Sequence, residues 1–148
     1  MVAVHTVVQV EAPVATTFAY LDDHRNATRF VVGLRSWEPV GEQSHGLGAV
    51  FRAEIALGPK TVGGTLVIDR WEQDRIIGWR PQSGLAQQGG WTLTERDGGT
   101  SVRFDLDVTL PGGIVGRALG KGFEGVVRGQ VEESGRRIKQ QVEALGSP

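Results

Sequence analysis

Arg70 is the residue whose position is most suggestive of a chemical role, because its guanidinium follows apolar residues in a strand-like segment. A guanidinium stays charged in proteins and binds pairs of oxygen atoms, so an inward Arg70 would bind a carboxylate, an enolate or a quinone carbonyl. Leu66, Ile68 and Arg70 share one face of this segment, but each face holds two apolar residues and one charge. Because an unpaired buried charge is costly, an outward Arg70 in a surface ion pair remains the alternative.

The other titratable side chains are too scattered to indicate a shared site. His5, His24 and His45 lack the spacing of metal ligands. We expect His5 and His45 at the surface, and His24 either as a surface or capping residue or at the mouth of a cavity. Asp105 and Asp107 alternate on one strand face, which is more typical of a solvated face than of paired acid–base carboxylates. The sequence therefore predicts neither a metal site nor a cofactor.

Composition excludes several classes of function. The 148 residues include no cysteine, which excludes disulfides, thiolate metal sites and a cysteine nucleophile. Neither a phosphate-binding glycine motif nor a nucleophile elbow occurs, and a net charge of −1 argues against non-specific nucleic-acid binding. No apolar run reaches ~18 residues and no signal peptide is recognisable. We predict one domain over residues 1–148, cytoplasmic and without integral membrane association.

The N-terminal part predicts one strand followed by two short helices. β-Branched residues alternate over Val2–Val10, which indicates a half-buried strand. Pro13 suits the first position of a helix over Val14–Leu21. The acidic residues 22 and 23 can cap a second short helix, roughly His24–Val31.

Six further strands are expected before residue 111, because short apolar runs alternate with glycine-rich and proline-rich turns. Two of those turns are Pro81–Gly84 and Asp97–Gly99, the latter a strong hairpin signal. Strands joined by such short turns pair antiparallel. The predicted strands are Leu34–Val40, Ala49–Leu57, Thr61–Glu72, Ile76–Arg80, Gln88–Arg96 and Ser101–Leu110.

One long amphipathic helix is predicted from about Ile114 to Leu145, where apolar residues recur at helical spacing apart from a gap across Ser134. Seven glycines lie between residues 112 and 129. Each interior glycine lowers helix stability by about 1 kcal/mol relative to alanine. This half of the helix is therefore either frayed or broken, or it has a function. That function would be close approach to a sheet or a role as a mobile lid over a pocket. A twisted antiparallel sheet with a helix on its concave side is α+β and leaves an apolar cavity between them.

Six short motifs occur in a consistent order along the chain. They are Val10–Pro13, Phe18–Leu21, Arg29–Leu34 followed by Trp37, Trp91–Thr94, Gly99–Val102 and Leu110–Gly113. In their order and spacing the whole sequence resembles the START-like, Bet v 1-like (SRPBCC) superfamily, within it the polyketide cyclase/dehydrase and lipid-transport group. The resemblance implies a helix-grip fold, in which a curved sheet of six to seven strands wraps around the C-terminal helix. It also implies aromatic polyketide cyclases, coenzyme-Q-binding proteins, lipid carriers and stress-response proteins as relatives.

A set of mostly apolar residues is predicted to face the concave side of the sheet. Each of them is either part of the packed core or part of the wall of a ligand pocket. They are Phe51, Ile55, Leu66, Ile68, Arg70, Trp79, Trp91, Leu93, Phe104, Leu106, Phe123 and Val127. The resemblance implies a cavity arginine at Arg70 and a cavity tryptophan at Trp91, as in aromatic cyclases. By the same alignment, Asn26 and Gly33 stand where those enzymes carry a tryptophan and a tyrosine, which disfavours cyclase activity.

Three functions are compatible with these observations. The first is binding or transport of a small apolar or aromatic molecule (a lipid, polyketide or quinone), with Trp79 and Trp91 stacking on a ring and Arg70 fixing a polar end. The alternative is a polyketide cyclase, aromatase or dehydratase, with Arg70 as a weak catalytic candidate that stabilises an enolate. The third is a protein-interaction module whose cavity is vestigial. Whether the chain is an enzyme, and its oligomeric state, stay open.

Overall fold

The computed structural model describes residues 2–109 and 113–146, with side chains of the C-terminal helix described from Gly122 onward. Seven strands precede that helix in the described part of the chain. They are β1 Val2–Val10, β2 Leu34–Pro39, β3 Val50–Leu57, β4 Lys60–Glu72, β5 Ile76–Gly84, β6 Ala86–Arg96 and β7 Gly99–Thr109. The helices are α1 Val14–Asp22, α2 Ala27–Phe30 and α3 Gly113–Leu145, with a 3-10 turn over His24–Asn26.

The strands form one antiparallel sheet in the order β1-β7-β6-β5-β4-β3-β2. Helix α3 contacts β1 and β7 near one edge of the sheet and β3 near the other edge. One helix reaches both ends of a seven-stranded sheet only if the sheet curls around it. The predicted α+β helix-grip architecture is therefore confirmed.

Alternation of side chains places the core as the sequence predicts. In β1, Val4 and Val10 are buried whereas His5 and Val7 are exposed. In β7, every second residue over Val102–Val108 is buried. These two strands pair along their whole length, so their apolar faces form one continuous surface against α3.

The predicted capping and hairpin signals are also confirmed. The side chain of Asp23 accepts a hydrogen bond from the backbone N–H of Arg25 and so caps the 3-10 turn. Asp97 and Gly98 both have positive φ, 51° and 77°, between β6 and β7. Two successive left-handed residues are typical of a tight hairpin turn that matches the strand twist.

The predicted turn at Pro81–Gly84 is wrong, because β5 continues through these residues to Gly84. The pairing shifts there from Thr65↔Ser83 to Leu66↔Pro81, which makes Gln82 an extra residue in β5. Pro81 also lies beyond the last pair that β5 makes with β6, at Trp79. Proline lacks an N–H and is tolerated at bulges and where a strand has a free side.

Helix α3 fills the concave side with apolar side chains at helical spacing. Phe123, Val127 and Val131 are buried before the gap, and Ile138 and Val142 after it. None of the helices in the described residues is long and apolar enough to cross a membrane.

The gap in that apolar pattern is occupied by a buried serine. The Ser134 hydroxyl donates to the Gln130 carbonyl at 2.6 Å and accepts from the Val32 N–H at 2.9 Å. Because both of its neighbours are polar backbone groups, a hydroxyl is suitable there and an apolar side chain would leave the Val32 N–H unpaired.

Close approach between helix and sheet occurs at Gly135, which lies after the glycine-rich run. A Cβ on Gly135 would lie 2.8 Å from Thr6 Cγ2 and 3.1 Å from Val8 Cγ1. Gly112 lies outside the described residues, and the surroundings of Gly113, Gly116 and Gly120 are not described either. Three glycines of this part of the helix have open space where a side chain would be, with no atom within 4 Å of an added Cβ: Gly122, Gly125 and Gly129. At these positions the predicted close approach to the sheet is wrong.

Alanine substitutions at two helix glycines should therefore have opposite effects. Gly129→Ala should raise the free energy of unfolding by about 1 kcal/mol, because alanine favours the helix and nothing obstructs its methyl group. Gly135→Ala should lower it, because overpacking against stiff β-branched side chains costs about 1–3 kcal/mol and exceeds that gain. Urea denaturation measures both changes, and equal stabilisation at the two sites would contradict the close contact at Gly135.

Candidate ligand cavities and their aromatic wall

The larger apolar cavity lies on the concave side of the sheet and has a volume of about 50 Å³. Four of the predicted residues line it: Ile55, Trp79, Phe104 and Leu106. Val31, Leu34, Leu57, Leu85 and Val108 complete most of its apolar lining. Its polar side chains are those of Thr65 and Gln87, so the first cavity, as we call it, suits an apolar ligand.

A second, smaller cavity of about 20 Å³ lies beside the first. Three other predicted residues line it: Phe51, Ile68 and Trp91. Unlike the first cavity, the second cavity has a polar rim, formed by residues that include Asp22, His24, Ser44 and His45. Trp37 lines both cavities, so its indole lies between them.

The two cavities share a wall of contacting aromatic rings, which we call the aromatic wall: Trp37, Phe51, Trp79 and Trp91. The ring centroids of Trp37 and Trp79 are 5.4 Å apart, and those of Trp79 and Trp91 are 4.9 Å apart. Tilted and edge-on pairs at such distances stabilise by about 0.5–1.5 kcal/mol beyond burial. Phe51 extends the wall through a 5.4 Å contact with Trp37.

The polar groups of the wall differ in whether they have partners. Trp79 Nε1–H donates to Gln87 Oε1 at 2.7 Å. Trp91 is 2% exposed, and its Nε1–H has no hydrogen-bond partner among the described residues. A buried donor without a partner is costly, so this group favours binding of an acceptor.

Four predicted residues lie in the core without lining either of these two cavities. They are Leu66, Leu93, Phe123 and Val127. All four are buried in the hydrophobic core cluster.

The prediction that Arg70 points into a cavity is wrong, because its side chain lies on the outer face of the sheet. The pairing of β4 with β5 shifts from Ile68↔Trp79 to Arg70↔Gly78, so Asp69 is an extra residue that turns Arg70 to the outer face. The Arg70 side chain is 52% exposed. Its guanidinium lies over Gly78, where a Cβ would meet it at 2.5 Å, and donates to the Gly89 carbonyl at 2.9 Å. Arg70 therefore holds neighbouring strands together from outside both cavities.

The same bulge brings Trp71 inward, which the alternating pattern did not predict. Its ring contacts the Phe18 ring edge-on at 5.7 Å, and its Nε1–H donates to Asp22 Oδ1 at 2.9 Å. Trp71 lines the second cavity and joins β4 to the end of α1. An unusual pair of charged residues before a tryptophan is the only local sign of this arrangement.

Two of the three histidines, His24 and His45, line the second cavity. The His24 ring lies 5.9 Å from the Phe51 ring. The His45 ring lies 6.1 Å from the Trp71 ring, with its Nδ1 3.6 Å from Asp22 Oδ2. His24 therefore lies at the mouth of a cavity, one of the placements that the sequence left open. His45 is largely exposed, as predicted, but it also belongs to this rim, which the sequence did not predict for it. Among the described residues, no group of three or more histidines and carboxylates could hold a metal ion.

The single tyrosine, Tyr20, lies away from both cavities. Its hydroxyl is hydrogen-bonded to Gln141 of α3. Burial raises the pKa of Tyr20, and the nearby charge of Arg29 opposes that shift. A phenol held between two helices with a raised pKa is not positioned for acid–base chemistry on a cavity ligand.

Asp23 has a strongly shifted pKa beside the rim. Hydrogen bonds from the Arg25 side chain and backbone lower the pKa of Asp23 to about 2. The Arg25 guanidinium contacts both carboxylate oxygens, at 2.9 and 2.7 Å. This pair stabilises the turn that carries His24.

The family model described as polyketide cyclase/dehydrase and lipid transport matches residues 1–143. The chain belongs to this family. The chain has the curled antiparallel sheet around a C-terminal helix that is described above. Among curated proteins, none matches the sequence.

Several solved structures are similar to this chain along nearly its whole length but share little sequence identity with it. TTHA0849 from Thermus thermophilus has a TM-score of 0.83 at 20% identity, over 98% of this chain and 99% of that one. The ZhuI aromatase/cyclase from Streptomyces sp. R1128 has a TM-score of 0.81 at 17% identity, over 98% and 95%. A START superfamily protein from Mycobacterium smegmatis has a TM-score of 0.74 at 14% identity, over 97% and 98%. At these identities the similarity concerns the fold.

Arg70→Ala should lower the free energy of unfolding by about 1 kcal/mol, because it removes the hydrogen bond to the Gly89 carbonyl. Arg80→Ala is the matched control. Arg80 is also on the outer face, but its contact with Asp69 is a 3.9 Å ion pair, and such exposed pairs contribute little. Urea unfolding compares the two variants, and equal changes would show that Arg70 does not hold the strands together.

Asp23→Asn should slightly destabilise the protein near neutral pH, because it removes a carboxylate that Arg25 stabilises. The folded-state pKa of about 2 is below the ordinary 3.8, so the stabilisation is present above that ordinary pKa and lost as the pH falls toward 2. Urea unfolding of both proteins at about pH 6 and about pH 2 measures the difference, with Asp97→Asn as a control for an exposed carboxylate. A difference as large in acid as near neutrality would contradict this.

Proposed function

We propose that this protein binds a small apolar or aromatic molecule, such as a lipid, a polyketide or a quinone, in the first cavity. The observation that carries this proposal is the apolar lining together with the aromatic wall. Burial of ligand surface there contributes about 25 cal/mol per Å² before the entropy costs of binding. The rings of Trp37 and Trp79 offer flat surfaces on which a planar ligand can pack.

Entry of such a ligand requires the cavity to widen, since about 50 Å³ accommodates only a few water molecules. The distribution of hydrogen bonds between α3 and the other elements supports widening of the cavity at one end. Its described hydrogen bonds to other elements come from Gln130, Ser134, Lys139, Gln141 and Glu143. Before Gln130, the described helix packs through the apolar side chains of Phe123 and Val127. We infer that the described segment of α3 before Gln130 is the part of the helix that moves when the cavity admits a ligand.

Catalysis as a polyketide cyclase remains a second candidate, because the family model includes cyclases and dehydrases. The position of Arg70 outside both cavities disfavours the mechanism first considered, in which its guanidinium stabilises an enolate. Tyr20 also lies outside them. A cyclase reaction would have to use other groups, and binding is therefore the function we favour.

A substitution that fills the first cavity should abolish binding. Ala53 lines the cavity on β3, and Ala53→Leu adds a bulky branched side chain to it. Ala56 lies on the opposite face of the same strand, so Ala56→Leu is the matched control. Native mass spectrometry of freshly purified protein, followed by organic extraction, should find a near-stoichiometric apolar molecule in the wild type and in Ala56→Leu, but not in Ala53→Leu.

A defined probe tests the same proposal when nothing is retained through purification. We expect 4-propyltoluene to raise the Tm of the wild type and of Ala56→Leu, and to leave that of Ala53→Leu unchanged. A wild-type protein that carries no molecule and whose Tm is not raised by the probe would contradict ligand binding. That result would favour the interaction module.

A further inference from the structure

The second cavity combines groups that an apolar pocket does not need. Its wall is aromatic, but its rim holds Asp22, His24 and His45. The chain has three histidines, and two of them are at this one small cavity. Asp22, His24 and His45 also border an open depression at the protein surface, and the His45 side chain is 63% exposed, so the rim of the second cavity faces solvent.

Asp22 is held in place and in turn orients His45. Its Oδ1 accepts from Trp71 Nε1–H at 2.9 Å, which directs Oδ2 toward His45 Nδ1 at 3.6 Å. A carboxylate beside Nδ1 favours the tautomer with the proton on that nitrogen, which leaves Nε2 as an acceptor. Contacts of this kind are often long without ligand and shorten when it binds.

The aromatic wall provides a second and independent observation. Trp91 is 2% exposed, it lines the second cavity, and its Nε1–H has no partner among the described residues. The residues that line this cavity therefore include Trp91, whose donor is unpaired in the described part of the chain, and His45, whose imidazole can act as an acceptor. A volume of about 20 Å³ holds one or two water-sized groups, so a single small group can contact more than one side.

We propose that the second cavity binds the hydroxyl group of a phenol or alcohol whose apolar part lies in the first cavity. A hydroxyl both donates and accepts, so it can accept from Trp91 Nε1–H and donate to His45 Nε2. Trp37 borders both cavities, where the apolar part of such a ligand passes from one to the other. This inference rests on the proposed function and specifies the ligand class for it.

Other polar end groups fit the second cavity less well. A carboxylate ligand would meet the negative charge of Asp22 at the rim, and the two charges would repel. A ketone or ether would accept from Trp91 but would leave the His45 acceptor unused. A hydrocarbon would use neither group. The cavity therefore selects for a neutral hydroxyl.

Three matched probes test this order: 4-propylphenol, 4-propylanisole and 4-propyltoluene. Isothermal titration calorimetry should find the phenol bound about tenfold or more tightly than the toluene, with the anisole between them, because each hydrogen bond gained by a buried group favours binding. Equal affinities would mean that the cavity holds only water and would overturn the inference while leaving the proposed function intact. No binding of any probe would overturn both.

Variants separate the two partners of the hydroxyl. His45→Ala should reduce the preference for the phenol over the anisole to about one, whereas His5→Ala, at the exposed face of β1, should keep it. Trp91→Phe retains an aromatic ring and should remove the preference for the anisole over the toluene. The preference ratios, rather than the affinities, are decisive, because they are insensitive to a general loss of packing. Unchanged ratios in both cavity variants would overturn the inference.

A spectroscopic measurement tests the Trp91 contact without a substitution. The chain has four tryptophans, so ¹⁵N-indole labelling gives four N–H signals. The phenol and the anisole should move the Trp91 indole proton downfield relative to the toluene complex, while Trp79, already bonded to Gln87, shows no such difference. Identical Trp91 shifts in all three complexes would overturn the assignment of this donor.

Discussion

The extra residue at Asp69 determines which side chains of β4 reach the interior of the molecule. Before it, Leu66 and Ile68 are buried; after it, Arg70 is outside and Trp71 is inside. The polar rim of the second cavity depends on this reversal, because Trp71 holds the Asp22 carboxylate in position. A regular β4 would instead place a guanidinium among apolar side chains, where an unpaired charge is strongly disfavoured.

The described part of helix α3 is hydrogen-bonded to the rest of the fold unequally along its length. Gln130 Nε2–H donates to the carbonyls of Val32 and Ala56, joining the helix to the loop before β2 and to the end of β3. Further along, Lys139 and Glu143 bond to the backbone around the end of β1. The polar contacts thus fix one half of the helix, and apolar packing alone holds the described residues before Gln130.

Local patterns were sufficient to predict the long helix, the Asp23 cap and the strands apart from the second half of β5, because alternation and capping act over a few neighbouring residues. The fold followed from their order, supported by the family resemblance. The bulge at Asp69 could not be predicted in this way, because it is a property of the pairing between β4 and β5. The rim was missed for a related reason: His45 meets Asp22 only after the loop between β2 and β3 folds back onto α1. Candidates such as Ile55 line a cavity whereas Leu93 does not, since alternation identifies a face but not where packing leaves space.

The guanidinium of Arg70 lying flat across the sheet has a consequence for how this chain can diverge. It occupies the space that a side chain at Gly78 would take on the outer face. These two positions are therefore coupled during evolution, because a larger residue at 78 would displace the guanidinium from the Gly89 carbonyl. A descendant that first loses Arg70 gains a free surface position, and once a larger residue occupies it, the arginine cannot return to the same place. The order in which such substitutions accumulate is thus constrained by one surface side chain.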